Sequence, residues 1–282
     1  MSSPPRYSDE IHDPVKSSSV TEPLLGASSR TPNVAAAASG SVSAQRLAEE
    51  GWSDDDVANG LKLGPNVSDC DAEIRMFFIR KVYSILSVQL LMTTVVSVLL
   101  SLDGAKEFTH ANPWLMWIPM ILSFVSLGFV WWKRHHHPAN LILLGLFTLF
   151  ESVMIGLAVS YYESRIVLQA LFITLGVFVG LTLFTFQTKY DFSSWQPILY
   201  ISIWGLLTTS LISIFLPFNA TFDLIIAAFS TLLFSGFVLY DTQQIMQKLS
   251  VDEAIVGALT LYLDFLNLFL SILRLLNNQN NR

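Results

Sequence analysis

EAIVGALTLYLDFLNLFLSILRLL, residues 253–276, is the stretch of sequence that decides the fold. Between Glu253 and Arg274 it holds twenty residues, of which one, Asp264, is charged. The hydrocarbon core of a bilayer is about 30 Å thick and takes about 20 apolar residues in a helix. The stretch therefore predicts a membrane-spanning helix with an acid near its middle. Ser250 and Glu253 have the spacing of a capping box and predict where this helix begins.

Six further apolar runs lie upstream, and most are bounded by charged residues, Pro or Asn. They cover residues 82–102, 113–132, 138–161, 165–186, 197–217 and 222–246. Because each run is continuous, helices are predicted, and the short connections make neighbouring helices antiparallel. We expect an all-α membrane protein with seven transmembrane helices over residues 75–276 and a short polar C-terminus over 277–282.

Composition supports a membrane protein and excludes other classes. Hydrophobic residues make up 52% of the chain and charged residues 13%, whereas a soluble domain has about 25% charged residues. The net charge of −6 divides into −7 for residues 1–74 and +1 for the rest. No basic surface for nucleic acid is expected. With Cys70 as the one cysteine, neither an intrachain disulfide nor a zinc cluster of thiolates can form.

Basic residues predict the orientation in the membrane. Those on one side of the seven runs are Arg75, Arg80, Lys81, Lys133, Arg134, Lys189 and Lys248. The opposite loops contain only Lys106 and Arg165. By the positive-inside rule the N-terminus is cytosolic. The C-terminus lies on the far side if the last run spans the bilayer, and in the cytosol if that run is re-entrant.

Three acids fall inside the apolar runs: Glu151, Asp241 and Asp264. A carboxylate in hydrocarbon is costly, and it normally faces a partner or water and marks a functional site. The alternative is that each acid only links helices by hydrogen bonds. Counted from a turn near residue 249, Asp264 lies roughly 9 Å deeper than Asp241 at 1.5 Å per residue. The lean of side chains towards the helix N-terminus closes about half of this gap.

If Asp241 and Asp264 meet, they cannot both ionise cheaply, and they share a proton. Proton loss would then leave an oxygen-rich, doubly negative site that suits a hard cation such as Ca²⁺. Lys133 and Arg134 are candidates for a basic latch on this pair, or they are ordinary interfacial anchors. The adjacent histidines 135–137 are not expected to bind a metal, because consecutive side chains on a short loop diverge.

Five segments in order carry a resemblance to a known family. They are Phe77–Tyr83, His137–Asn140 leading to Phe147–Glu151, Leu183–Lys189, Leu239–Gln243 and Leu259–Phe269. On these segments the chain resembles the Bax inhibitor-1 and Lifeguard (TMBIM) family, and more closely its fungal members.

The resemblance implies a seven-helix fold with the last helix central. It also implies a pH-sensitive Ca²⁺ leak from an internal store such as the endoplasmic reticulum or vacuole, together with suppression of cell death. The family's paired aspartates fall on Asp241 and Asp264, and its basic latch falls on Lys133 or Arg134. Glu151 fits the Lifeguard-type branch.

Three functions compete. The first is a cation leak channel that needs no cofactor, has Ca²⁺ as its permeant ion and is gated by the aspartate pair. The second is a non-conducting scaffold that restrains death or stress signalling through protein partners such as cell-death regulators. The third is an intramembrane aspartyl protease, which is disfavoured because the Gly-x-Gly-Asp and Pro-Ala-Leu motifs of presenilin-like enzymes are missing. We therefore expect no enzymatic activity.

Residues 1–74 are rich in Ser, Pro, Ala and Asp, and this composition predicts a largely disordered tail. Pro4, Pro5 and Tyr7 have the PPxY spacing of a WW-domain ligand, although a Pro-rich tail also produces this spacing by chance. The predicted partner is a WW-domain ubiquitin ligase.

Replacing Tyr7 in the full chain tests this motif. Tyr7→Ala is expected to weaken capture on an immobilised WW domain by about tenfold or more, because the motif loses its aromatic anchor. Ser3→Ala, next to the motif, is the control and should bind like the wild type. Equal capture of both variants would discard the motif.

Overall fold

The computed structural model describes residues 66–133, 138–216 and 219–280, and its regular elements are all helical. The bounds are α1 (Ala72–Leu100), α2 (Asp103–Ala111), α3 (Trp117–Trp132), α4 (Ala139–Val159), α5 (Ser164–Gln187), α6 (Gln196–Phe215), α7 (Ala220–Gln247) and α8 (Ala254–Asn280). Short 3₁₀ turns precede four of them, at Val67–Asp69, Pro113–Met116, Phe192–Trp195 and Val251–Glu253. All but α2 belong to segments long and apolar enough to cross a bilayer, which confirms the seven predicted spans.

The first helix begins earlier than its apolar run. It starts at Ala72, ten residues before the predicted span at residue 82. Ile74, Phe78 and Val82 are buried at four-residue spacing, while Lys81 is exposed. This start is amphipathic, so hydropathy alone underestimates its length. The predicted end of the tail at residue 74 falls inside α1.

The last helix occupies the centre of the bundle. With its preceding turn it is a continuous helical segment, Val251–Asn280, and 72% of its apolar window is buried, against 6% for the span that contains α6. It packs against α1, α4, α5 and α7. Helices α1, α3 and α4 form one group of neighbours, and α5, α6 and α7 form a second. The central position expected for the last helix is confirmed, and the segment is helical throughout and long enough to cross a bilayer.

The outer surface of the bundle is apolar. Phe172, Ile201, Trp204 and Leu232 each expose more than two thirds of their side-chain area. An apolar surface of this extent is typical of contact with lipid. The membrane face at which α1 begins is called the N-side here, and the opposite face the far side.

Close packing between α1 and α4 depends on a glycine. A Cβ at Gly156 would lie 2.8 Å from Leu100 Cδ1 and 3.1 Å from Ser97 Cα. The second contact is with backbone, so α1 itself would have to move. Gly156 therefore allows the far-side ends of α1 and α4 to approach closely.

Gly156→Leu is expected to destabilise the folded protein by about 1–3 kcal/mol, because the new side chain overpacks this interface. Thermal unfolding of the purified protein in detergent measures the effect. Gly145→Leu on the same helix is the matched control, since nothing lies within 4 Å of the Cβ that it would add. A melting temperature lowered equally by both substitutions would contradict the proposed close approach.

Candidate functional site

The structure brings two of the predicted acids together. Asp241 on α7 and Asp264 on α8 have their carboxyl groups close enough to interact directly. Asp264 is buried and Asp241 is half-buried. Asp264 Oδ2 has no hydrogen-bond partner among the described residues. The pair therefore holds unused oxygen ligands inside the bundle.

The register of α7 on α8 follows from the turn between them. The chain reverses over residues 248–250, between the end of α7 at Gln247 and the 3₁₀ turn that begins at Val251, close to the predicted position near residue 249. A Cβ at Gly257 would lie 3.1 Å from both Ile245 Cγ1 and Leu249 Cδ2, so the start of α8 packs against the end of α7 and this turn. The proximity of the two acids shows that helix packing and side-chain lean together close the depth gap expected from the sequence.

The turn that sets this register is capped as predicted. The backbone N–H of Ser250 donates to Glu253 Oε2 at 3.4 Å, and the N–H of Glu253 donates to the Ser250 carbonyl at 3.0 Å. Val67, which is fully buried, donates its N–H to the Leu249 carbonyl at 2.9 Å. The N-side turn between α7 and α8 is therefore fastened to the segment that precedes α1.

Gln243, two residues after Asp241, ties α7 to the α5–α6 connection. Its Oε1 accepts the Phe192 N–H at 2.6 Å, and its Nε2 donates to the Tyr190 carbonyl at 3.0 Å. In the same connection, hydrogen bonds from the hydroxyl and N–H of Ser193 lower the pKa of Asp191. These contacts hold the N-side end of α7 in place beside the aspartate pair.

Three hydroxyl groups meet on the N-side half of the bundle, and one of them belongs to the residue after Asp241. The Tyr83 hydroxyl of α1 faces Thr182 of α5 and Thr242 of α7. All three oxygens are buried and lack a hydrogen-bond partner in the described part of the chain. Since a buried polar group normally has a partner, this cluster is a place where a water molecule or an ion would be stabilised.

A second polar group joins α1, α4 and α8. Gln89 Nε2 donates to Thr148 Oγ1 at 2.9 Å. The Thr93 hydroxyl lies 3.0 Å from that of Ser152 and 2.8 Å from that of Tyr262. Tyr262 is fully buried on α8, two residues from Asp264. Hydrogen bonds therefore connect the central helix to the first helical group near the pair.

Glu151 lies apart from the two aspartates. It is buried on α4, where its Oε2 accepts a 2.5 Å hydrogen bond from the Ser123 hydroxyl of α3. Its role in sensing protons or cations stays a prediction.

The structure does not bring Lys133 to the aspartate pair. Lys133 ends α3, is exposed, and has its Nζ 5.6 Å from the centroid of the Trp132 ring. It forms no ion pair within the described residues. The other latch candidate, Arg134, lies outside the described residues, as do residues 135–137 and Pro4, Pro5 and Tyr7.

Sequence reasoning missed a charged contact at the far side. Asp223 near the start of α7 pairs with Arg274 near the end of α8, and its Oδ2 also accepts from Asn278 at 2.5 Å. The signal was available, because antiparallel neighbours bring the start of one helix beside the end of the next. The two ends of the α7–α8 pair are thus held by different contacts, a capped turn at the N-side and an ion pair at the far side.

Comparison with known proteins assigns the family. The model of the family described as "Inhibitor of apoptosis-promoting Bax1" matches residues 75–281, which include α3 to α8 and nearly all of α1. The chain belongs to this Bax inhibitor family. The match confirms the resemblance seen in the sequence.

Relatives from distant sources cover the same region. Bax inhibitor 1 of Schizosaccharomyces pombe is 44% identical over 76% of this chain and 83% of its own length. Protein lifeguard 4 of Mus musculus is 38% identical over 83% of this chain and 98% of its own. The Golgi anti-apoptotic protein of Vaccinia virus (strain Lister) is 38% identical over 80% of this chain and 95% of its own length. The Bax inhibitor fold thus accounts for the membrane part of the chain.

Proposed function

We propose that this Bax inhibitor family protein is a pH-sensitive Ca²⁺ leak channel of an internal membrane, in which Asp241 and Asp264 control cation passage. The observation that carries the proposal is the contact of their two carboxyl groups inside the bundle. The expected membrane is that of the endoplasmic reticulum or the vacuole, with the N-terminus in the cytosol.

The chemistry of the pair favours control by protons. With one shared proton, a hydrogen bond joins Asp241 to Asp264 and holds α7 against α8. Loss of that proton places two negative charges side by side. Their repulsion then favours either separation of the two carboxylates or binding of a cation between them. No basic side chain forms an ion pair with either acid among the described residues, so the charge is available to a mobile cation. Passage should therefore increase as the pH rises.

A site with two carboxylates suits the passage of Ca²⁺ better than its tight binding. The ion takes 6–8 oxygen ligands, so water and neighbouring hydroxyls must supply most of its coordination. Conduction requires a site that is favourable enough to enter and weak enough to leave. The described residues contain no cluster of three or more His, Cys, Asp or Glu side chains that could hold a metal ion firmly. This composition supports a transient site.

Polar groups near the aspartates would extend the path. The N-side hydroxyls of Tyr83, Thr182 and Thr242 lack partners and offer oxygen ligands next to Asp241. On α1, Gln89 contributes a further unpartnered oxygen, Oε1, to the polar group that includes Tyr262. Opening would require these groups to exchange their contacts for water.

A controlled leak provides a physical route to the suppression of cell death. It would lower the Ca²⁺ content of the store and so limit the amount released under stress. The names of the relatives, Bax inhibitor and anti-apoptotic protein, support this outcome. A non-conducting scaffold that acts through death regulators is the alternative, and a flux measurement separates the two.

Ca²⁺ efflux from liposomes that contain the purified protein tests the proposal. Wild-type efflux is expected to rise from acidic to neutral pH, because proton loss creates the cation site. Asp241→Asn and Asp264→Asn each remove one titrating group and should flatten this pH dependence. The efflux rate should also change by about tenfold, which corresponds to a free-energy difference of roughly 1.4 kcal/mol.

Asp252→Asn is the matched control, since Asp252 is exposed in the turn before α8 and outside the pair. Its pH profile should match that of the wild type. Efflux equal to that of protein-free liposomes at every pH would reject the channel and favour the scaffold. Efflux with a wild-type pH profile in both pair variants would reject the role of the aspartates alone.

A further inference from the structure

A second site lies on the far-side half of the bundle, away from the aspartates. A cleft of about 350 Å³ runs between α1 and α5, with α8 at its back. Thr94 and Val98 of α1 and Leu102 of the following turn form one wall, Leu168 and Leu171 of α5 form the other, and Phe269 closes the back. Its size is at the lower end of the 300–1,000 Å³ typical of ligand pockets.

The packing of α1 explains why the cleft exists. At the N-side the two walls meet, with the rings of Tyr83 and Phe186 6.0 Å apart in an edge-to-face contact. Towards the far side α1 packs closely on α4 at Gly156, and α5 packs on α7 and α8. The two helices therefore separate towards the far side, and the space between them reaches Phe265, Leu266 and Phe269 of α8.

The cleft opens sideways to the surroundings of the bundle. Val98, Leu102 and Leu168 line it and expose 58%, 57% and 54% of their areas. These apolar edges lie in membrane-spanning helices, so the opening faces hydrocarbon. An acyl chain can enter from the bilayer, and burial of each of its CH₂ groups is worth roughly 0.8 kcal/mol relative to water.

The charge at the cleft selects the head group of an occupant. Lys106 of α2 is its one charged lining residue, and it lies at the far-side end of the cleft. It is half-buried and has no ion-pair partner in the described part of the chain. A cation placed above an apolar slot complements a ligand with one anionic group and an apolar tail.

The dimensions of the cleft favour a single chain. Its lining extends from Leu90 along the last part of α1, about 15 Å to Leu100 at 1.5 Å per residue, and continues into the turn at Leu102. A slot of this length and volume accepts one extended long acyl chain and is too small for the two chains of a phospholipid together. We propose that it binds a long-chain free fatty acid, with the carboxylate on Lys106 and the tail between α1 and α5.

An occupant would contact the central helix. The cleft is lined by Phe265, Leu266 and Phe269 of α8 and by Thr93, whose hydroxyl is hydrogen-bonded to that of Tyr262. A bound chain therefore packs against the helix that carries Asp264. Binding itself does not depend on ion conduction, so it can be measured whether or not the leak proposal holds.

Photolabelling of the purified full-length protein tests the proposal. The probe is palmitate with a diazirine near the end of its tail, and the modified residues are mapped by mass spectrometry. Labels are expected within residues 90–102 and 164–171. Unlabelled palmitate should compete, whereas hexadecanol, which has the same tail but no charge, should compete at least about fivefold less well.

Two pairs of variants separate the head contact from the tail contact. Lys106→Glu should reduce labelling about fivefold and Lys106→Arg should retain it, while Arg165→Glu, exposed outside the cleft, should have no effect. Leu171→Trp should fill the slot and abolish labelling, whereas Phe172→Trp, on the lipid-facing side of the same helix, should not.

The outcomes are distinct. Loss of labelling in Lys106→Glu and in Leu171→Trp, with both controls unchanged, supports a fatty acid site. Equal competition by hexadecanol and palmitate overturns the proposal, because it indicates that any lipid tail fills the cleft. Labels spread over the whole apolar surface also overturn it. If Leu171→Trp fails to fold, the comparison of Lys106→Glu with Arg165→Glu still decides the outcome.

Discussion

A carboxyl group inside the hydrocarbon region must be kept from lipid, and this constraint organises the whole bundle. Asp264 lies in the middle of α8, and the buried position of that helix shields it. Helices α1, α4, α5 and α7 all pack on α8, while α6 remains peripheral and largely exposed. The central helix is therefore also the helix that tolerates a polar face. Its neighbours supply that face with Thr93, Ser152 and Asp241.

The two ends of the bundle differ in how tightly they are closed. At the N-side, α7 and α8 are joined by a capped turn, Val67 is fastened to Leu249, and Gln243 holds the α5–α6 connection. At the far side, α1 and α5 separate, and the connection between α7 and α8 is an ion pair of Asp223 with Arg274. The N-side end is thus fastened by several hydrogen bonds that involve the backbone. The far-side end is more open and apolar, and there a lipid-like ligand can reach the central helix.

The sequence predicted the spans well because apolar length is a direct signal of a membrane helix. It missed the start of α1 at Ala72, since hydropathy ignores an amphipathic extension in which Ile74, Phe78 and Ile79 turn inward. It also overlooked Asp223 and Arg274, although antiparallel pairing of the last two helices brings these positions together.

The candidate site was predictable in residue type but not in distance. Asp241 and Asp264 stand out as acids in apolar runs, yet their separation depends on how the two helices pack. A reversal near residue 249 leaves the acids of two straight helices roughly 9 Å apart in depth. The structure brings them together through the packing of α8 on α7, where Gly257 lies against Ile245 and Leu249, and no local sequence pattern encodes this packing.

The register of α7 on α8 is tested most directly by disulfide formation in a Cys70→Ser background. Ile245→Cys combined with Gly257→Cys is expected to form an intramolecular disulfide on mild oxidation, because these two positions are in contact between α7 and α8. Ile245→Cys combined with Glu253→Cys should remain reduced, since residue 253 is one helical turn nearer the N-side. Oxidation of the second pair in place of the first would return Asp264 to a depth out of reach of Asp241 and contradict the proposed site.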